Sequence, residues 1–155
     1  MYADEERTVE LPQVEYVGFW KRVIATLIDS LIVVVITFPL LTLIYGMAYW
    51  ESESTYSGPA DFILSTLFPV VAVLLFWTKK QATPGKMAIS AKIVDAKTGG
   101  APSTKQCIGR YFAYILSSLV FGLGFLWVAF DPKKQAWHDK LAGTAVVKVS
   151  RSPKA

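Results

Sequence analysis

The chain has 155 residues, 53% of them hydrophobic and 14% aromatic, with a mean hydropathy of +0.39. Only 18% are charged, against about 25% in an ordinary soluble domain. Cys107 is the single cysteine and His138 the single histidine, so an intramolecular disulfide is excluded and a Cys/His zinc cluster within one chain is not expected.

The first sixteen residues, MYADEERTVELPQVEY, are acidic and polar. They lack the basic start and short apolar core of a cleavable signal, so the first apolar run is expected to be an uncleaved anchor. That run, Val23–Trp50, is uncharged except for Asp29. It is long enough to cross a hydrocarbon core of about 30 Å. Its helix is expected to begin near Gly18 and to bend or reach the outer interface near Pro39. A carboxylate at this depth costs about 2.5–3.5 kcal/mol on insertion scales, which makes Asp29 a functional-site candidate. Arg22, Thr26 and Asp29 fall on one helical face, with Arg22 and Asp29 about 10.5 Å apart. Helical side chains lean towards the N-terminus, so Arg22 leans away from Asp29. Asp29 therefore needs a donor from elsewhere, a proton or a cation. Arg110 is the first candidate, and Thr26 or tyrosine hydroxyls are weaker ones. Two readings stand side by side: an ion or proton site, and a hydrogen-bonded aspartate holding two helices together.

The next connection, Glu51–Asp61, contains Glu51, Glu53 and Asp61 but no lysine or arginine. A second apolar run, Phe62–Thr78, carries Pro69 and a predicted kink. After it come Lys79, Lys80, Lys86, Lys92, Lys97, Lys105 and Arg110. The positive-inside rule puts this connection and the N-terminus in the cytoplasm, with the acidic loop outside. These basic residues are expected to face anionic lipid, since no aromatic-basic module for nucleic acid accompanies them. Trp20, Trp50, Trp77 and Trp127 sit towards run ends, as interfacial anchors do. Thr83-Pro84 reads as helix or turn initiation. Gly85-Lys86 lacks the spacing of a phosphate loop and reads as an anchoring turn. Ile89–Val94 is a predicted strand, Lys97–Pro102 a turn, and Ser103 an N-cap for the next helix.

The third apolar run, Tyr111–Phe130, is interrupted by Gly122-Leu123-Gly124. A plain third span would put the basic tail, with Lys133, Lys134, Lys140, Lys148, Arg151 and Lys154, outside. Ala145–Val149 reads as a second strand, and it can pair with the first only on the same side of the membrane. A broken or re-entrant hairpin satisfies both, provided protein or water covers its backbone. The expected fold is an all-α membrane protein with about three hydrophobic segments and a small cytoplasmic β element. Residues 16–149 form the membrane domain, flanked by a polar segment 1–15 and a basic tail 150–155.

His138-Asp139 is a candidate proton relay, because histidine titrates near neutral pH, or else a cap or loop clamp. From topology, Asp139 is also placed to reach Arg22. Trp137–Thr144, together with Thr83–Met87, carries a family likeness. The chain resembles the RDD family of small membrane proteins, named for one arginine and two aspartates. The matching residues are Arg22 within Gly18–Arg22, Asp29 in the first span, and Asp139 after His138. Thr83–Lys86, Lys92–Asp95 and Asp131–Val147 support the match, which spans roughly Tyr16 to Val149. The resemblance implies a bacterial cytoplasmic membrane setting and a role in transport, with cation/proton exchange among the suggestions.

Two functions follow as expectations. In the first, Asp29 carries a small cation or proton, and three helices are too few to enclose a path without a homo-oligomer. In the second, the protein is a non-catalytic assembly or scaffold subunit for another membrane protein, with Arg22, Asp29 and Asp139 as polar helix contacts. No nucleophile–base set is visible, so neither catalysis nor a cofactor is expected.

Overall fold

The computed structural model describes residues 14–149. Residues 1–13 of the polar N-terminal segment and the basic tail 150–155 lie outside the described residues. Helix α1, Phe19–Tyr45, is 27 residues long and runs through Pro39. It continues past Pro39, where the sequence predicts a bend or the outer interface, and stops at Gly46, whose φ of 75° suits a residue without a side chain. Helix α2, Pro59–Lys80, has 22 residues and opens with Pro59 after Gly58. Its stretch Ile63–Leu67 widens into a π turn just ahead of Pro69. The wider turn accommodates a ring that would otherwise press on the preceding turn. By length and composition, α1 and α2 are each able to cross a membrane.

A short helix α3, Pro84–Ala88, starts at Thr83 in extended conformation. Strand β1, Ala91–Asp95, follows. Asp95 Oδ1 then accepts from the Lys97 and Thr98 amides, closing the predicted turn. Helix α4, Thr104–Leu119, opens on Ser103 and Gln106 in a reciprocal capping box. Phe121 and Gly122 take positive φ values of 51° and 73°. The chain there turns by 109° into α5, Leu123–Ala129. The glycine break thus divides the third apolar run. Helix α6, Trp137–Ala142, ends at Gly143 with φ 67°, and strand β2, Thr144–Lys148, completes the fold.

The sheet pairs β1 and β2 antiparallel, with Ala91 opposite Lys148, Ile93 opposite Val146 and Asp95 opposite Thr144. Tyr16 bridges Val147 on the other edge of β2, and the Val17 amide donates to the Val146 carbonyl at 2.9 Å. Val17, Trp77, Ala91, Ile93, Cys107 and Val146 form the core beneath. Residues before α1 and after α2 lie at the same end of the α1–α2 hairpin, and β2 ties the tail to both. The bent α4–α5 pair therefore begins and ends near that end of the hairpin. Among the tryptophans, Trp20, Trp50 and Trp127 are exposed, but Trp77 is only 3% exposed and belongs to the core rather than to an interfacial belt.

Candidate functional site: two polar joints and a shared lysine

The first joint supplies Asp29 with hydrogen-bond donors. Thr83 Oγ1 donates to Asp29 Oδ2 at 2.5 Å, and the Gly85 amide donates to Oδ1 at 2.7 Å. Both donors flank the start of α3, where amides point outward without helical partners. Close approach of α3 to α1 requires Gly85: a Cβ there would overlap the Ala25 carbonyl oxygen and lie 2.9 Å from Asp29 Cγ. The donor thus comes from the Thr-Pro-Gly motif. Arg110 is not the partner of Asp29, because its guanidinium lies against Asp139 instead. Thr26 turns its hydroxyl back to the Arg22 carbonyl at 3.0 Å, which leaves it no donor for Asp29.

The second joint centres on Asp139, which is fully buried. Arg22 Nη1 donates to Asp139 Oδ2 at 2.6 Å, Arg110 Nη1 donates to Oδ1, and the Ala136 amide caps Oδ2 at 2.9 Å. Burial raises the carboxyl pKa, yet the Arg110 and Arg22 charges outweigh it and hold the group well below the usual range. Arg22 also donates from Nη2 to the Lys134 carbonyl at 2.6 Å and from Nε to the Val17 carbonyl at 3.2 Å. It thereby joins the start of α1 to the tail. Arg110 Nη1 reaches Thr144 Oγ1 at 2.6 Å. The rest of its guanidinium lies over the Trp77 and Tyr114 rings, 5.2 and 5.7 Å from their centres. Such cation–π contacts compensate a buried guanidinium that has few acceptors.

His138 is buried beside this joint and stacks on Tyr114, with ring centres 3.8 Å apart. Burial and the neighbouring Arg110 charge push its pKa down to about 2. Its Nε2 stands 3.7 Å from Asp139 Oδ1, beyond hydrogen-bond reach. The imidazole stays neutral across the physiological range and packs as an aromatic plate.

Lys86, on α3, borders two cavities. One, of about 570 Å³, has Arg22, Lys86 and His138 in its lining. The other, of about 560 Å³, is lined by Asp29, Ser30, Thr83, Tyr111 and Ser118, and it shares Thr26, Lys86 and Tyr114 with the first. The structure therefore unites Arg22, Arg110, His138 and Asp139, and it holds Asp29 at a separate joint. Sequence reasoning singled out Thr83–Lys86 as a motif without finding that it serves Asp29. The available signal was an N-cap threonine, a proline and a glycine opening a helix too short to stand alone. Thr144, Trp77 and Tyr114 were also missed as partners of Arg110, and no spacing rule would have supplied them.

The model of the RDD family matches residues 16–143. The uncharacterized protein YxaI of Bacillus subtilis is 34% identical over 146 residues, covering 84% of this chain and 95% of that one. The uncharacterized protein RP437 of Rickettsia prowazekii is 45% identical over 75 residues, which cover 48% of this chain and 41% of its own. The uncharacterized membrane protein YteJ of Bacillus subtilis is 29% identical over 138 residues, covering 85% and 80% respectively. No solved structure matches the chain. With the match spanning both joints and all three name-giving residues, this multi-pass membrane protein belongs to the RDD family.

Proposed function

We propose that the protein is a non-catalytic assembly module of the membrane, a rigid unit on which another membrane protein or a second copy is built. One observation carries the reading: each signature charge is engaged by partners within the chain. Asp29 accepts from Thr83 and Gly85, and Asp139 accepts from Arg22, Arg110 and Ala136. Donors at a helix start that already occupy both oxygens of Asp29 leave the carboxylate committed to a structural joint. The reading sets the protein in the bacterial cytoplasmic membrane, with the sheet and the N-terminus on the cytoplasmic side, as the lysine distribution supports. The test is purification of the full chain from its native membrane at native abundance. A partner of fixed stoichiometry, lost when Gly85→Ala unseats α3, is the expected result. A protein that stays alone in mild detergent and in the membrane contradicts the reading.

A second reading, transport of a small cation coupled to protons, is favoured by a separate observation. Asp29 lines a cavity together with the hydroxyl-bearing residues Ser30, Tyr111 and Ser118. Ion passage there requires α3 to release Asp29. Proton movement driven by Na⁺ or K⁺ in vesicles distinguishes the two readings.

A further inference from the structure

The cavity of about 570 Å³ has a mixed lining. Phe19, Leu27, Phe121, Phe125 and Leu126 supply apolar surface, and Arg22, Lys86 and His138 supply nitrogen-bearing side chains. No aspartate or glutamate lines it. Of the lining residues, Phe121 is 97% exposed and Leu27 is 64% exposed, so the apolar lining reaches the molecular surface.

Lys86 is only 7% exposed. Among the described residues its ammonium has no carboxylate within 4 Å and no hydrogen-bond acceptor. Asp29 lines the neighbouring cavity with it, but lies outside that range and already receives Thr83 and Gly85. Of the other nearby charges, Arg22 and Arg110 share Asp139. Three cations thus stand against two carboxylates, both already occupied. An ammonium that borders a largely apolar cavity without a counter-charge is poorly solvated, and an anion in that cavity offsets the cost. His138 adds two buried ring nitrogens without partners, one of them a donor.

We infer that this cavity holds an anionic phospholipid, with its phosphate on Lys86 and Arg22 and an acyl chain along Phe121, Phe125 and Leu126. Phosphate chemistry alone would suit a free anion, but walls of this character select an amphiphile. Arg22 has two N–H groups beyond the three engaged with Asp139, Lys134 and Val17. The site is fixed from below, because the Asp29 joint seats α3 and α3 carries Lys86.

The experiment uses the full chain in a neutral detergent and reads lipid retention by native mass spectrometry together with the thermal midpoint. Phosphatidylglycerol, phosphatidylcholine and inorganic phosphate are the three probes. Phosphatidylglycerol is expected to be retained and to raise the midpoint, while phosphatidylcholine and inorganic phosphate leave it unmoved. Lys86→Met should weaken phosphatidylglycerol binding about tenfold or more, the loss of one charge-assisted contact, and Lys86→Arg should restore it. Leu27→Trp enlarges an exposed side chain of the apolar lining, leaves Lys86 in place, and should weaken binding similarly. Equal responses to the two lipids would overturn the assignment, as would an equal response to inorganic phosphate. Undiminished phosphatidylglycerol binding by a folded Leu27→Trp protein would overturn it even if Lys86→Met fails to fold.

Discussion

Arg22 and Asp139, 117 positions apart in the chain, meet at 2.6 Å in a joint where Asp139 is fully buried. One side chain opens the first span and the other opens the last short helix. Their contact, together with the strand pair β1–β2, ties the start of the described chain to its last helix and strand. Asp139 also serves Arg110, so the joint is a triad rather than a pair.

That geometry predicts an asymmetric response. Asp139→Asn leaves two guanidinium groups without their shared counter-charge and should destabilise by about 3–5 kcal/mol. Exchanging the charges of positions 22 and 139 should not rescue folding, because an arginine at 139 would face Arg110. Arg22→Lys should cost less than Asp139→Asn, since it keeps the charge but loses the second fork to the Lys134 carbonyl. Detergent-denaturation midpoints of the three variants check the order.

At the other joint, Gly85→Ala should be more damaging than Thr83→Val. The first forces backbone apart at the Ala25 carbonyl, whereas the second removes one hydrogen bond to a carboxylate, worth about 1.5–3 kcal/mol. Asp29→Asn keeps an acceptor for the Gly85 amide and should retain the fold better than Asp29→Leu. The same stability measurement decides this ranking.

His138 gives a pH dependence with a definite sign. Its folded pKa is about 2, below the ordinary 6.5, so the unfolded chain binds the proton first. Its contribution is fully present above pH 6.5 and is lost as pH falls, at about 1.4 kcal/mol per unit. Arg110, Arg22 and Lys86 disfavour the charged ring, and Asp139 alone favours it. Unfolding free energies at pH 7.5, 6.0 and 5.0 should decline in wild type. His138→Phe, which keeps the stack on Tyr114, should flatten that decline.

The side of the tail is open to direct mapping. Single cysteines at Thr98 and Lys148 should label from the same side of intact vesicles, and one at Ser54 from the opposite side. Cys107 is buried and leaves the background low.

The apolar runs, the glycine break and the Ser103 cap were legible because each depends on local composition and backbone preference. The β1–β2 pairing was legible from topology, since the two strands require one side. What could not be read was the exchange of partners. Arg110, near the end of the third run, is a candidate donor for Asp29 by sequence, yet the chain gives Arg110 to Asp139 and fills Asp29 from backbone and hydroxyl donors. Helical spacing places residues on a face but says nothing about which distant segment covers it. Trp77 was misjudged for a related reason. A tryptophan at a run end fits an interfacial belt equally well until a buried arginine needs its ring.

Whether the charges lock the fold or carry ions is tested most directly by proton movement driven by Na⁺ or K⁺ in vesicles. Wild type and Asp29→Asn are compared after matching for folded protein. The assembly reading predicts that both give the trace of protein-free vesicles. A flux in wild type that Asp29→Asn abolishes, with its thermal midpoint retained, would contradict it.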